Sequence, residues 1–526
     1  MSGKSRMWMW GCFAILCCKL AAATTYYVSP TGSDDSAGTS IEKPWKTCTK
    51  VDAFKFAPGD IILFQRGGEW RDRLQASSDG AEGLPITYDA YGDGAKPRIY
   101  GSDVLENSKF TPSGQNQYAY SSASQADSAL CDHVFIQSTW TTGTLTITTT
   151  SDPRTDGKLY TACVRGNVIF SNRKNHLVVK NLIADETAGQ LNDGPVQGYG
   201  FRIEGSTDVL LDSCEALRCG RHNFAAINTT GFVGRHLISS FAVPNMPGDN
   251  TAYVSYADGG APVAKCTSLW DDISATHLEN GKGGEYLTFV SHGDNQGLIT
   301  IQNSVVTNKL SFMSGPVIVK HITLKQSASI ENWGTGVLID GVTLLDSSAI
   351  DQWAKSGIIQ NCVAHLTPTG GGPTGYGTAI LCRDKANDNI IRFNTLVTGR
   401  FSCLELAGEN SHTKYYGNIM IADGSTVIKA TGPLTSTDIA SADYNFFAPT
   451  ASFSGKALSD WQAQGFDRHS LTGDPMFTDL AVGKLDLKAG SPCIQASKLD
   501  SADVPPEDFS GKARSNTTQS IGAYED

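Results

Sequence analysis

The sequence predicts an all-β chain: a single-stranded right-handed parallel β-helix, a solenoid with loop insertions and a capping C-terminal tail. Three observations predict it. Short β-branched and aliphatic runs recur through the middle of the chain. No helical pattern of useful length separates them, which argues against a doubly wound sheet. The composition is rich in Gly (54 of 526 residues) and poor in charge (18%), a mix suited to strands and tight turns.

The repeats carry the most weight. NHLVVKNLIAD (175–185), TDVLLDSCEAL (207–217), GLITIQNSVVT (297–307), GPVIVKHITLK (315–325), GVLIDGVTLLD (336–346), SGIIQNCVAHL (356–366), NIIRFNTLVTG (389–399) and TKYYGNIMIAD (413–423) share one design. Each is an apolar run, a polar residue near the centre, and a second apolar run. A period of roughly 20 residues means stacked units, none of which buries its apolar face alone. The fixed leucine pattern of leucine-rich repeats is missing. Asn303, Asn361 and Asn394 fall near the central turn, where Asn tolerates a left-handed backbone.

The elements follow in chain order. Residues 1–23 carry Lys4 and Arg6, an apolar run from Met7 to Cys18, and Ala21-Ala22-Ala23. That is the pattern of a secretory signal cut after Ala23, with a core short for a membrane span. Residues 24–170 start the solenoid and hold an irregular insertion near 103–160. Residues 171–430 form the regular coils, interrupted at 218–295. Residues 431–526 form a loop-rich tail that caps the open end, which would otherwise template aggregation.

Of 13 cysteines, Cys12, Cys17 and Cys18 leave with the signal. The other ten are scattered with no CxxC pair, so a zinc site is not expected. Disulfides and buried thiols both stay open for an exported chain. The net charge of -11 lacks the basic surface that nucleic acid needs. No later segment is apolar enough to span a membrane. No GxGxxG or phosphate loop follows a strand, so no nucleotide or organic cofactor is expected. A monomer is expected.

Both ends of the chain resemble a known family. TYYVSPTGSDDSAGTSIEKPWKT, FAPGDIILFQRGGEWRDRL and GLPITYDAYGDGAKPRIYGS look like an opening segment. LTGDPMFTDLAVGKLDLKAGSPCIQAS and DFSGKARSNTTQSIGAYED look like a closing one. Both resemble secreted right-handed parallel β-helix proteins of the pectate-lyase-like superfamily. The resemblance implies export and a polysaccharide partner. It leaves the reaction open, because the superfamily includes lyases, hydrolases, epimerases and non-catalytic members.

The interruption at 218–295 is where a site is expected. It is dense in Arg, His, Tyr, Trp and carboxylates, and five of the ten histidines lie between His222 and His321. Cleaving a uronate polymer by β-elimination removes a weakly acidic proton beside a carboxylate. That needs a cation to neutralise the carboxylate, a base, and an acid for the leaving oxygen. Arg221, His222, Tyr256, His277 and His292 are the candidates for base and acid. Arg218, Tyr253 and Trp270 are candidates for substrate binding, and Arg383 and Lys385 extend the groove. Asp258, Asp271, Asp272, Glu285 and Asp294 are candidates for Ca²⁺. Trp333 and Trp353 suit either sugar stacking or anchoring in the core.

Hydrolysis is the alternative. Asp271-Asp272 followed by His292-Gly293 is similar to the spacing in polygalacturonase-like glycosidases, which pair two carboxylates as acid and base. The Asn-Thr-Asp-Gly and Arg-Ile-Lys of that family have no match here. A uronate epimerase, which begins with the same proton abstraction, and a non-catalytic carbohydrate-binding surface protein also remain open.

Overall fold

A computed structural model describes residues 23–122, 124–189, 198–241, 250–257, 265–277, 286–294, 296–325, 328–346, 348–366, 378–383, 385–399, 402–408, 412–423, 426–431 and 438–525. The signal-like residues 1–22 lie outside them. Within the two large sheets every strand pairing but one runs parallel between successive coils, and the architecture is a parallel β-helix. Among the described residues a broad sheet has 26 strands and a narrow sheet has 14.

Each regular coil gives two short strands to the broad sheet and one to the narrow sheet. One coil reads Val209–Asp212, Glu215–Leu217 and His222–Ile227. A single left-handed residue joins the two broad-sheet strands. Ser213, His236, Asp272, Asn303, His321, Gly341, Asn361, Phe393 and Gly417 hold this place, with φ between 50° and 66°. Asn, Asp, His and Gly tolerate that backbone best.

Asn303 and Asn361 sit at the bend itself, with φ of 54° and 52°. Asn394 does not. Phe393 takes the bend, and Asn394 turns inward, donating to Ile359 O and to Asn418 Oδ1, each at 3.0 Å. Asn418 then donates to Asn445 Oδ1 at 3.0 Å, and Asn445 to Asp467 Oδ1 at 2.8 Å. This buried polar ladder has a donor for each acceptor, so its members bury without an orphaned group.

The interior is a stack of apolar rings, one per coil. Phe201, Phe224 and Tyr253 lie nearly parallel, at 4.9 Å and 5.3 Å. Residues 102–163 leave the solenoid as two four-stranded antiparallel sheets, and most of that excursion packs as a separate cluster around Phe110, Leu145 and Tyr160. The tail packs against the late broad-sheet coils. The buried guanidinium of Arg514 lies 4.4 Å over Phe393 and donates to Asn361 Oδ1 at 3.0 Å. None of the ten cysteines of the described residues is in a disulfide, and nine are buried. Among those residues no helix is long and apolar enough to cross a membrane.

Candidate active site on the outer face of the narrow sheet

The narrow sheet stacks Tyr199–Glu204, His222–Ile227, Asn250–Tyr256 and Tyr286–His292 in parallel register. Phe224, Tyr253 and Phe289 face the core. Ala225, Ile227, Val254, Tyr256 and Val290 gather with Tyr199 in a separate buried apolar cluster. That cluster is the floor on which the polar groups meet.

Four of the five residues expected to do acid–base work come together here. Tyr256 lies one coil above Ile227, and its hydroxyl is 3.2 Å from His222 Nε2. The His292 ring lies against the Tyr256 ring, with centroids 3.9 Å apart and planes tilted by 32°. Arg221 precedes His222 at the strand start and acts electrostatically on its ring. Tyr199 adds an aromatic wall 5.4 Å from His222, and Arg202 lies 4.9 Å over it while paired to Glu204 at 2.8 Å.

Burial pushes the His222 pKa well below its ordinary value, and the charges of Arg221 and His292 add to that. The ring is therefore neutral and carries one proton. Its Nδ1 is buried with no hydrogen-bond partner among the described residues. A neutral imidazole bonded to a tyrosine hydroxyl can take or return the phenolic proton, which is general acid–base equipment.

Other expectations are corrected by burial. Tyr253 and Trp270 do not line a groove. Trp270 is sealed in the core between Phe232 and Phe289, with ring centroids 4.7 Å and 5.6 Å away. Tyr253 is equally buried and donates to Leu237 O at 2.9 Å and Ser274 O at 2.6 Å. Asp271 and Asp272 stand in the broad sheet, not beside His292. Asp271 accepts from Asn303 at 2.8 Å, and Asp272 is exposed at the left-handed bend. The polygalacturonase-like pairing with His292 is therefore not formed. Arg218 turns into a buried ion pair with Asp185. Lys385 is exposed at a left-handed turn, and Asp294 is exposed beside His292.

Asp258, Glu285 and the side chain of His277 lie outside the described residues. Among the described residues no group of three His, Cys, Asp or Glu is placed to hold a metal ion. Arg383 joins a surface row along the same narrow sheet, paired to Asp351 at 2.8 Å and lying 4.8 Å over Trp353.

Two carboxylate pairs escaped sequence reasoning. Asp185 and Glu186 are fully buried where the antiparallel excursion docks. Asp185 faces Arg98 at 2.9 Å and Arg218. Glu186 takes Ser102, Thr161 and His133, the last at 2.6 Å. Burial pushes Asp185 up to about 6. For Glu186 burial acts upward, but hydrogen bonds from Ser102 and His133 and the Arg218 charge outweigh it, leaving the pKa lowered. Complete enclosure and these partners make the pair a polar seam between two parts of the fold.

The second pair, Asp52 and Asp72, lines an open cavity of about 710 Å³ with Arg73, Arg165 and Asn167. Burial, with the Asp72 charge, pushes Asp52 up to about 7 against the Gln75 N–H at 2.7 Å and the Arg73 charge. A raised carboxyl contributes stability in full below its unfolded value of about 4, and loses it as pH rises through about 7. Asp185 has the same sign. Asp52→Asn is therefore expected to flatten the fall of melting temperature between about pH 4 and pH 7, measured by thermal scans. An unchanged slope would show that Asp52 ionises as freely as in the unfolded chain.

No family model matches the chain. A lacto-N-biosidase of Bifidobacterium longum subsp. longum is 43% identical over 91 residues, 16% of this chain and 6% of that protein. The chain thus matches only a small part of that relative's length. Among solved structures, the complex of XylC with xylose aligns over 95% of this chain and 98% of its own. Its identity is 10% and its TM-score 0.55. The alginate lyase AlyGC, of family PL6, aligns over 84% and 55% at 14% identity and a TM-score of 0.40. The XylC likeness is one of fold.

Proposed function

We propose that the chain is a secreted polysaccharide lyase that cleaves a uronic-acid-containing polymer by β-elimination. The observation that carries this reading is the Tyr256 hydroxyl bonded to a buried, neutral His222, with His292 against the same tyrosine and Arg221 adjacent. Arg221 pairs with the substrate carboxylate and stabilises the charge that grows on it. His292 accepts the proton α to that carboxylate. The electron pair forms a carbon–carbon double bond, the glycosidic C–O bond breaks, and Tyr256 protonates the departing oxygen. His222 positions Tyr256, whose proton is then restored from solvent. Ca²⁺ held at Asp294 would assist Arg221.

The 91-residue match to a lacto-N-biosidase supports a second reading, a glycoside hydrolase. That chemistry needs two carboxylates, and Asp52 with Asp72 line an open cavity. One assay separates the two. Purified mature protein is offered a panel of uronate polymers and neutral glycans, with calcium and then with chelator. The ultraviolet absorbance of a conjugated unsaturated uronate is the expected result. New reducing ends without that absorbance would assign hydrolysis, and neither signal would leave a binding protein. Loss of activity with chelator would assign Ca²⁺.

A further inference from the structure

The row that carries Tyr256 and His292 continues along the solenoid axis. Register pairs Ser291 with Phe312, Phe312 with Asn332, Asn332 with Gln352, and Gln352 with Cys382. The residues that follow each of these are His292, Met313, Trp333, Trp353 and Arg383. They climb one coil at a time. The indoles of Trp333 and Trp353 lie parallel at 4.0 Å, with 15° between their planes. Arg383 closes the far side of Trp353 at 4.8 Å, held by Asp351.

The row therefore contains a tilted ring pair, Tyr256–His292, and a stack, Trp333–Trp353–Arg383. A single coil separates them, and Met313 occupies it. Met313 is 56% exposed and Trp333 46% exposed. Trp353 covers one side of Trp333, which leaves its other side turned along the axis towards Met313. Two coils of sheet span about 10 Å. Carbon contacts of about 3.5–4.0 Å on each side leave room for one saturated ring between the tilted pair and the stack. The rim is polar: Lys309 pairs with Glu331 at 2.8 Å on the same face, next to Ser311.

We propose that the coil of Met313 is a subsite for one pyranose ring, held between Trp333 and His292. The ring lays its C–H face on the Trp333 indole, its hydroxyls meet the Lys309–Glu331 rim, and the adaptable thioether of Met313 forms the floor. A bound chain then runs along the solenoid axis, and the subsite lies immediately beside the Tyr256–His222 pair. This inference rests on the polysaccharide reading, but not on the choice of elimination.

The test is the quenching of tryptophan fluorescence by size-graded fragments of polygalacturonate, alginate and xylan. Wild type is compared with Met313→Trp, which fills the slot, Met313→Ala, which empties it, and Trp333→Ala, which removes a wall. Met313→Trp and Trp333→Ala are expected to bind about tenfold more weakly or worse, and Met313→Ala within about threefold of wild type. Because Met313 is 56% exposed, its two variants are expected to keep the wild-type melting temperature. Equal affinity in wild type and Met313→Trp would overturn the subsite, as would no quenching of wild type by any fragment. Binding lost in Met313→Trp without any unsaturated product in wild type would keep the subsite and refute the lyase. Unsaturated product with the same KM in wild type and Met313→Trp would do the reverse.

Discussion

Tyr256→Phe is expected to lower kcat by about 10²–10⁴-fold with KM little changed. The substitution deletes only the hydroxyl that sits 3.2 Å from His222 and keeps the ring that lies against His292 at 3.9 Å. His222→Gln is expected to lose less, because Gln still offers Tyr256 a polar partner, but to move the pH–rate profile. A merely structural His222 would change the melting temperature and leave that profile in place. Full activity in Tyr256→Phe would take the chemistry away from this face. The Asp52–Asp72 cavity, with Asp52 pushed up to about 7, is where it would go.

Trp270→Ala is expected to destabilise the fold by about 3–5 kcal/mol while leaving KM of the folded protein unchanged. Trp270 touches Phe232, Tyr253 and Phe289 inside the stack, and the coils above and below fix the width of the space it fills. The cavity therefore collapses little, and the loss approaches the full value. Denaturant unfolding followed by fluorescence and circular dichroism measures it, and coincident transitions license the number. A raised KM with unchanged stability would return Trp270 to the substrate groove, where the sequence pattern had put it.

That contrast shows what the pattern could carry. Alternation along a strand tells neighbours apart, but not which of them faces inward when the strand turns a corner. At the start of His222–Ile227, Asn223 and Phe224 both point inward. Asn223 bonds Ser239 and the carbonyl of Ala216, and Phe224 joins the ring stack. A strict two-residue period fails there, and His222 thereby turns to the outer side of the sheet, buried between Tyr199 and Tyr256.

Histidine density was a mixed signal for a different reason. His236 and His321 hold the left-handed bend that Asn303 and Asn361 hold in other coils. Asp272 does the same, so one member of the conspicuous Asp-Asp pair serves the turn. His222 and His292 have the same composition signature, and only their neighbours separate them. Asp185, Glu186 and Asp52 gave no signal at all. Their partners Arg98, Ser102 and Arg73 lie in other coils or in the excursion.

The sequence by itself determined the solenoid. Its period, its apolar runs and its polar turn residues are local features, and each coil repeats the same local demand. It also singled out residues 218–295, where four acid–base candidates converge, although the coils run on through this stretch with His236 and Asp272 at the bend. Only the tertiary structure decided which side chains face the groove. It sent Tyr253 and Trp270 to the core and Asp271 and Asp272 to the other sheet. It also aligned Met313, Trp333 and Trp353, residues 20 apart in the chain, into one row above His292. The physical reason is register. Which residue stands above which depends on where each coil turns, and one residue gained or lost at a corner moves a side chain from solvent to core.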